Sequence, residues 1–255
     1  MKSELRIVPF SALRDNYIWS LSDGRDCVLV DPGEATPAQT WLQSQGLKLS
    51  AILLTHHHAD HTGGVTVLRQ RWPVPVFGPT GLPEVDHPLK GGETFDLPGL
   101  DQSIEVLAVP GHTPEHLAYL GAGALFCGDT LFGAGCGRLL GGTASQLHAS
   151  LNLLARLPGD TQVCCAHEYT LSNLQFAAAV EPNNPLIAQR QAHCVALRET
   201  GQPTLPGNIA EELATNPFLR CDQASVRSAA KHVAGHALAT PLDVFTALRA
   251  WKDRF

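Results

Sequence analysis

Thr55-His56-His57-His58-Ala59-Asp60-His61-Thr62-Gly63-Gly64 follows directly on the apolar run Ala51-Ile52-Leu53-Leu54. Its pattern is His-x-His-x-Asp-His. Imidazoles and carboxylates packed this closely repel or compete for protons unless something holds them. A metal ion, or a pair of them, is the simplest holder. In a loop leaving a strand, residues 56 and 58 can share one ion while 60 and 61 turn towards a second. The His-Glu-x-x-His pattern, which pairs ligands four apart on a helix, is missing.

Three more ligand types lie just past apolar segments. His112 sits in Val109-Pro110-Gly111-His112-Thr113, Asp129 in Phe126-Cys127-Gly128-Asp129-Thr130, and His167 ends Val163-Cys164-Cys165-Ala166-His167. Strand exits are where a sheet protein builds its site. Five His and two Asp divide as three ligands per metal plus one bridging carboxylate, with a water or hydroxide completing both shells. No thiolate belongs to the cluster, and imidazole with carboxylate suits zinc, iron or manganese. His57 occupies a spacer position. Asp31, in Val30-Asp31-Pro32-Gly33, either braces a ligand histidine or simply forms a turn. His87, His116, His148, His193, His232 and His236 lack such a context and read as ordinary surface or core histidines.

The bulk numbers describe a water-soluble globular chain long enough for a full core: 255 residues, 44% hydrophobic, mean hydropathy -0.02. No window reaches the ~18 apolar residues of a membrane span. The first six residues lack the apolar core of an export signal, so a cytoplasmic location is expected. Seven cysteines, an odd count without a Cys-x-x-Cys pair, read as reduced core thiols. A formal charge of -6 argues against a nucleic-acid surface.

Up to about residue 165, strand-like runs dominate: 5–9, 16–21, 26–31, 50–54, 74–78, 104–109, 116–120, 123–127 and 162–166. Helical spacing marks 36–45, 63–71 and 143–156, the last with a Thr143/Gln146 capping box. Sheets with helices outside are expected. Beyond His167 the texture turns helical, at about 170–180, 185–200, 222–233 and 241–252. The last of these has Thr240 as cap, Pro241 first and Asp243 three after the cap. The expected division is a catalytic domain over 1–167 and a helical domain over 168–255.

The His-x-His-x-Asp-His stretch resembles the signature of the metallo-β-lactamase superfamily. Gly128-Asp129-Thr130-Leu131-Phe132, Gly135-Cys136-Gly137-Arg138, His167-Glu168-Tyr169-Thr170, Asn216-Pro217-Phe218 and Arg249-Ala250-Trp251-Lys252-Asp253 narrow the resemblance to the glyoxalase II (hydroxyacylglutathione hydrolase) family. It spans nearly the whole chain. It implies an α/β, four-layer αββα sandwich with a C-terminal helical domain. It also implies that His56, His58 and His112 hold one metal, that Asp60, His61 and His167 hold a second, and that Asp129 bridges them. The implied cofactors are two divalent ions, zinc first, with iron or manganese also suited.

The implied reaction is hydrolysis of S-D-lactoylglutathione to D-lactate and glutathione, a step of methylglyoxal detoxification. A metal-bridging hydroxide would attack the thioester carbonyl, with Asp60 and Asp129 as its carboxylate holders. A thiolate leaves without strong acid help, so no Ser or Cys nucleophile is needed; Cys136 has no evident base beside it. Arg249 and Lys252, three apart on the last helix, share a face. With Arg138 and Tyr169 they match the family's glutathione contacts. Leu140 stands where the family usually has Phe or Tyr, which removes one contact to the peptide. A small-molecule glutathione thioester is the expected partner of a monomer, with no nucleic acid and no membrane. The rival enzyme reading is a glutathione persulfide dioxygenase of the same superfamily with a single iron. That group has a similar His-x-His-Ala-Asp-His stretch but a shorter C-terminal region. A non-catalytic binding module would have lost ligands, and none of the seven is missing.

Overall fold

The computed structural model describes residues 5–255; residues 1–4, where the reading for an export signal begins, lie outside them. Two compact units emerge. The first comprises residues 5–108, 115–128 and 164–167, and the second 109–114, 129–163 and 168–255.

The first unit opens with the hairpin β1 (Arg6–Ala12) and β2 (Asn16–Ser22), and β3 (Asp26–Val30) pairs antiparallel with β2. The following strands β4 (Lys48–Leu53), β5 (Val76–Pro79) and β6 (His87–Leu89) add in parallel, giving the order β1-β2-β3-β4-β5-β6. Parallel neighbours need crossovers. Helix α1 (Ala35–Gln45) supplies the one between β3 and β4, and α2 (Ala59–Thr62) with α3 (Val65–Arg71) the next. The second sheet of this unit runs antiparallel through β7 (Thr94–Asp96), β8 (Ser103–Ala108), β9 (Leu117–Gly121) and β10 (Ala124–Gly128).

Every residue of β2 is buried, because both faces of the first sheet are covered. On one face Leu29, Leu49 and Ile52 pack with Ala38 and Leu42 of α1 and Val65 and Leu68 of α3. On the other, the two sheets meet: Trp19 lies edge-on to Phe126 at 6.3 Å, and the Tyr119 hydroxyl donates to the Leu54 carbonyl at 2.6 Å. Buried indole and phenol groups keep a polar partner in this way. The Trp19 Nε1–H donates to Cys165 O at 2.9 Å.

The second unit contains a small hairpin, β11 (Leu131–Phe132) and β12 (Gly135–Cys136), helix α4 (Ala144–Leu154) and the first two residues of β13 (Gln162–Cys165). Its helices are α5 (Thr170–Val180), α6 (Pro185–Glu199), α7 (Ile209–Thr215), α8 (Ala224–Ala234) and α9 (Pro241–Lys252). A short β14 (Gly207–Asn208) pairs with the start of β13. Both expected capping boxes form, Thr143 with Gln146 and Thr240 with Asp243, the latter behind Pro241. Leu174, Ala177, Ile187 and Cys194 pack around Ala134.

Some elements escape the sequence pattern for physical reasons. The three-residue strands β6 and β7 are too short to show a period. The expected helix over 63–71 starts only at Val65, because Gly63-Gly64 follows the separate turn α2. Helix α7 begins right after the Pro206-Gly207 break, with Asn208 capping it by accepting from Glu211 N–H at 2.8 Å. All seven cysteines are buried and unlinked. No helix among the described residues is long and apolar enough to cross a membrane.

Candidate metal centre

The signature stretch leaves the end of β4 and turns into α2. In the first unit it brings His56 Nε2 to 2.9 Å from His58 Nδ1. Asp60, His61 and the distant His167 also gather, each offering a ligand atom within 4.8 Å of the others. Asp60 Oδ2 lies 3.4 Å from His61 Nε2 and 3.5 Å from His167 Nε2. Two donors each about 2.0–2.1 Å from one ion at the tetrahedral angle sit about 3.4 Å apart. The trio is therefore spaced for a shared cation. His167 and His61 also hold the Asp60 carboxyl well below the usual carboxylate range, so it carries a negative charge.

The far nitrogens of these rings are already committed, which fixes which nitrogen faces the site. His61 Nδ1–H donates to Asp31 Oδ2 at 2.9 Å, and His167 Nδ1–H to Asp15 Oδ1 at 2.8 Å. Asp31 further accepts from Thr55 N–H at 2.8 Å and from the Thr55 hydroxyl at 2.7 Å. With that proton spent, Thr55 Oγ1 accepts from His56 Nδ1–H at 3.0 Å. One buried carboxylate thus braces His61 directly and His56 through Thr55. Asp31 holds a positive φ of 52°, a conformation a non-glycine residue keeps only under constraint. Of its two sequence readings, the bracing one is what forms. Gly33 completes the clamp: a Cβ there would sit 1.8 Å from the Asp60 carbonyl oxygen.

His57 points away and pairs with Glu115, consistent with a spacer. His116 is a core histidine: it is buried and stacks on His56 at 4.6 Å with 20° between the rings. Asp15 and Asn16 also surround the candidate ligands, and no motif marked them. Their only signal was position, at strand ends next to the cluster.

In the second unit His112 Nε2 lies 3.5 Å from Asp129 Oδ2, the same ligand-like separation. His112 Nδ1–H donates to the Arg138 carbonyl at 2.8 Å. Gly137 allows the loop to fold back on itself, since a Cβ would meet Asp129 O at 2.0 Å. Arg249, only 5% exposed, donates from Nη1 to Cys136 O at 3.0 Å and Gly137 O at 3.4 Å, and from Nη2 to Asp253 Oδ1 at 2.9 Å. Three successive carbonyls, 136 to 138, therefore serve Arg249 and His112.

Lys252 Nζ lies over Phe176 at 5.4 Å and donates to Ser172 O at 3.4 Å. Burial first, and then the positive charges of Arg249 and Arg138, make its ammonium easier to deprotonate than an ordinary lysine. The Arg138 side chain is largely exposed, with its Nε 3.8 Å from Asp253 Oδ1. Tyr169 meets Phe132 edge-on at 5.3 Å, and Leu140 is exposed. Burial pushes the Cys136 thiol up to about 11, which leaves it protonated and unreactive at neutral pH.

The donor chemistry fits a divalent cation: imidazole nitrogens braced from behind, with carboxylates beside them. Residues 14–167 match the family model described as metallo-beta-lactamase superfamily, and residues 168–255 the one described as hydroxyacylglutathione hydrolase C-terminus. The hydroxyacylglutathione hydrolase of Nitrosomonas europaea is 47% identical over 98% of this chain and 97% of its own. That of Halorhodospira halophila is 53% identical over 96% and 97%. Among solved structures, ETHE1 from Myxococcus xanthus superposes with a TM-score of 0.65 at 26% identity, covering 97% of both chains. The BLEG-1 B3 metallo-beta-lactamase gives 0.61 at 27%, covering 84% of this chain and 99% of its own. With a core of the metallo-β-lactamase fold and a C-terminal helical part matched end to end, the chain belongs to the hydroxyacylglutathione hydrolase family.

Proposed function

We propose that this chain is a binuclear thioesterase that hydrolyses S-D-lactoylglutathione and related 2-hydroxyacylglutathiones to the hydroxy acid and glutathione. The observation that carries the reading is the C-terminal match over residues 168–255, the part that holds Tyr169, Arg249 and Lys252. It also favours the hydrolase over a persulfide dioxygenase, whose C-terminal region is shorter. In this reading residues 1–167 are the catalytic part and 168–255 the substrate-binding part.

His56, His58 and His112 would hold one divalent ion, Asp60, His61 and His167 the other, and Asp129 would bridge them, with zinc the first candidate and iron or manganese suited too. Ions held there would make water acidic enough to ionise at neutral pH and would polarise the thioester carbonyl. The chain's residues supply the rest. Asp31, directly and through Thr55, keeps the site-facing nitrogens of His61 and His56 unprotonated, because it takes the proton on the other ring nitrogen. Asp60 and Asp129 contribute negative charge that offsets the cations.

Arg138, Tyr169, Arg249 and Lys252 form the glutathione-facing set. Arg138 and Lys252 would meet its carboxylates. Arg249 adds charge and fixes the Cys136 and Gly137 carbonyls. Burial, and then the like charges beside it, lower the Lys252 pKa, and an anionic ligand offsets both. The acidic chain and its buried, unlinked thiols suit a cytoplasmic enzyme, and we read it as a monomer.

The test is thiol release from S-D-lactoylglutathione with metal content measured on the same sample. Hydrolysis with close to two metals per chain is expected. Oxygen uptake with glutathione persulfide and no thioester cleavage would replace this reading by the dioxygenase. Metal content that stays at one or below after reconstitution would remove the binuclear part.

A further inference from the structure

The turn between β1 and β2 does more than reverse the chain. Leu13 at its tip has a positive φ of 51° and is exposed, and its N–H donates to Glu34 Oε2 at 3.1 Å. A left-handed leucine in the open gains nothing locally; the conformation persists because neighbouring contacts fix it. Those contacts lie at the next residues. Asp15 Oδ1 accepts from His167 Nδ1–H at 2.8 Å. Asn16 is 7% exposed, and its Nδ2 donates both to Asp60 Oδ2 at 3.0 Å and to Asp60 O at 3.3 Å. Its backbone forms an antiparallel bridge with His167, and Tyr17 N–H donates to Ala166 O at 2.7 Å.

Two members of the trio Asp60, His61 and His167 are thus held by this one turn. Asp60 needs such help. It sits in a helix of four residues, too short to fix its own orientation. His167 comes from a segment more than a hundred residues later and enters the unit only through residues 164–167. Asp31, on the third strand, braces the remaining member, His61.

We propose that Asp15 and Asn16 are positioning residues for a single one of the two ions, the one assigned to Asp60, His61 and His167. Asp15 sets the ring plane and tautomer of His167, and Asn16 sets the free direction of the Asp60 carboxylate. This rests on the binuclear reading above.

The experiment strips the full-length protein of metal with a chelator and titrates it with zinc against a chromophoric competitor. It uses the parent, Asp15→Ala, Asp15→Asn and Asn16→Ala, and records the melting temperature of each metal-free protein. Asp15→Ala and Asn16→Ala should weaken one equivalent of zinc by about 10–100-fold, the usual cost of losing such a bracing bond, and leave the other equivalent and the metal-free melting temperature unchanged. Asp15→Asn keeps an acceptor oxygen and should recover part of the loss. Parent-like affinity for both equivalents overturns the proposal. So does equal weakening of both, or a lowered metal-free melting temperature that accounts for the change. A parent that takes up one zinc only would defeat the binuclear reading instead; the role of Asp15 and Asn16 would then stand if both Ala variants weaken that zinc, and fall if they do not.

Discussion

Asp31 concentrates three jobs in one side chain: it takes the Thr55 N–H, the Thr55 hydroxyl and the His61 ring N–H. Replacing it by Asn keeps the size but sets an amide NH2 against donors. Asp31→Asn is expected to cost about 10–100-fold in metal affinity, measured by zinc competition. Combining it with Thr55→Ala should add less than the sum of the two, because both act on the same line to His56. Lys252 gives a second expectation. Its cationic form binds carboxylate, so affinity is full below its pKa and is lost as pH rises through it. That pKa is lowered from the ordinary 10.5. KM for the thioester should therefore begin to rise with pH earlier than an ordinary lysine would allow. Lys252→Arg should push the rise to higher pH, and Lys252→Ala should raise KM at every pH with little change in kcat. Steady-state kinetics across the alkaline range decides both. Asp31 was visible in the sequence only as one of two readings, because an Asp before Pro-Gly makes an equally good turn. The stacking of His116 on His56 left no trace, since ring stacking between distant loop residues has no sequence period.

At the level of elements, the β11–β12 hairpin is suspended from helices rather than from a sheet. Glu212 on α7 is fully buried; its Oε2 accepts from Ala134 N–H at 2.9 Å and from Asn216 Nδ2 at 2.9 Å, while Oε1 accepts from Arg190 Nη2 at 2.6 Å. Asn216 donates to Gly135 O at 2.9 Å, and Asn173 to Gly133 O at 3.0 Å. Removing the carboxylate leaves the Arg190 guanidinium buried without its main counter-charge. Glu212→Ala is expected to destabilise the protein by about 3–5 kcal/mol, read from denaturant unfolding, and to lower activity through the hairpin that leads from Asp129 to Arg138. The long, capped helices over 144–154 and 241–252 were legible because both capping partners and the apolar stripe agree. Helix α7 was not, because its short apolar face is interrupted by Glu211-Glu212, and Glu212 turns inward to meet Arg190, Ala134 and Asn216.

On the scale of the molecule, the candidate ligand residues read from sequence lie close together within each unit: His56 with His58, Asp60 and His61 with His167, His112 with Asp129. The expected boundary at 167/168 is where the two family models meet, while compactness apportions the chain differently. A texture change at 167 marks where helices begin, yet 109–114 and 129–163 belong to the same compact unit as the helices after 168. Texture reports secondary structure, whereas compactness depends on pairing far along the chain. A chain truncated after residue 167 would keep Ala134 but lose Leu174, Ala177, Ile187 and Cys194, which surround it. It would also lose Glu212, Asn216 and Arg249. That fragment is expected to aggregate or to show no cooperative unfolding transition, tested by solubility and thermal denaturation beside the full chain.

The four residues 164–167 are the last piece of the first unit, and they are flanked on both sides by the second. On the ribosome, then, the donor trio cannot assemble until its final histidine has emerged. Until that moment the nascent chain can offer a passing cation only a partial and weak grip.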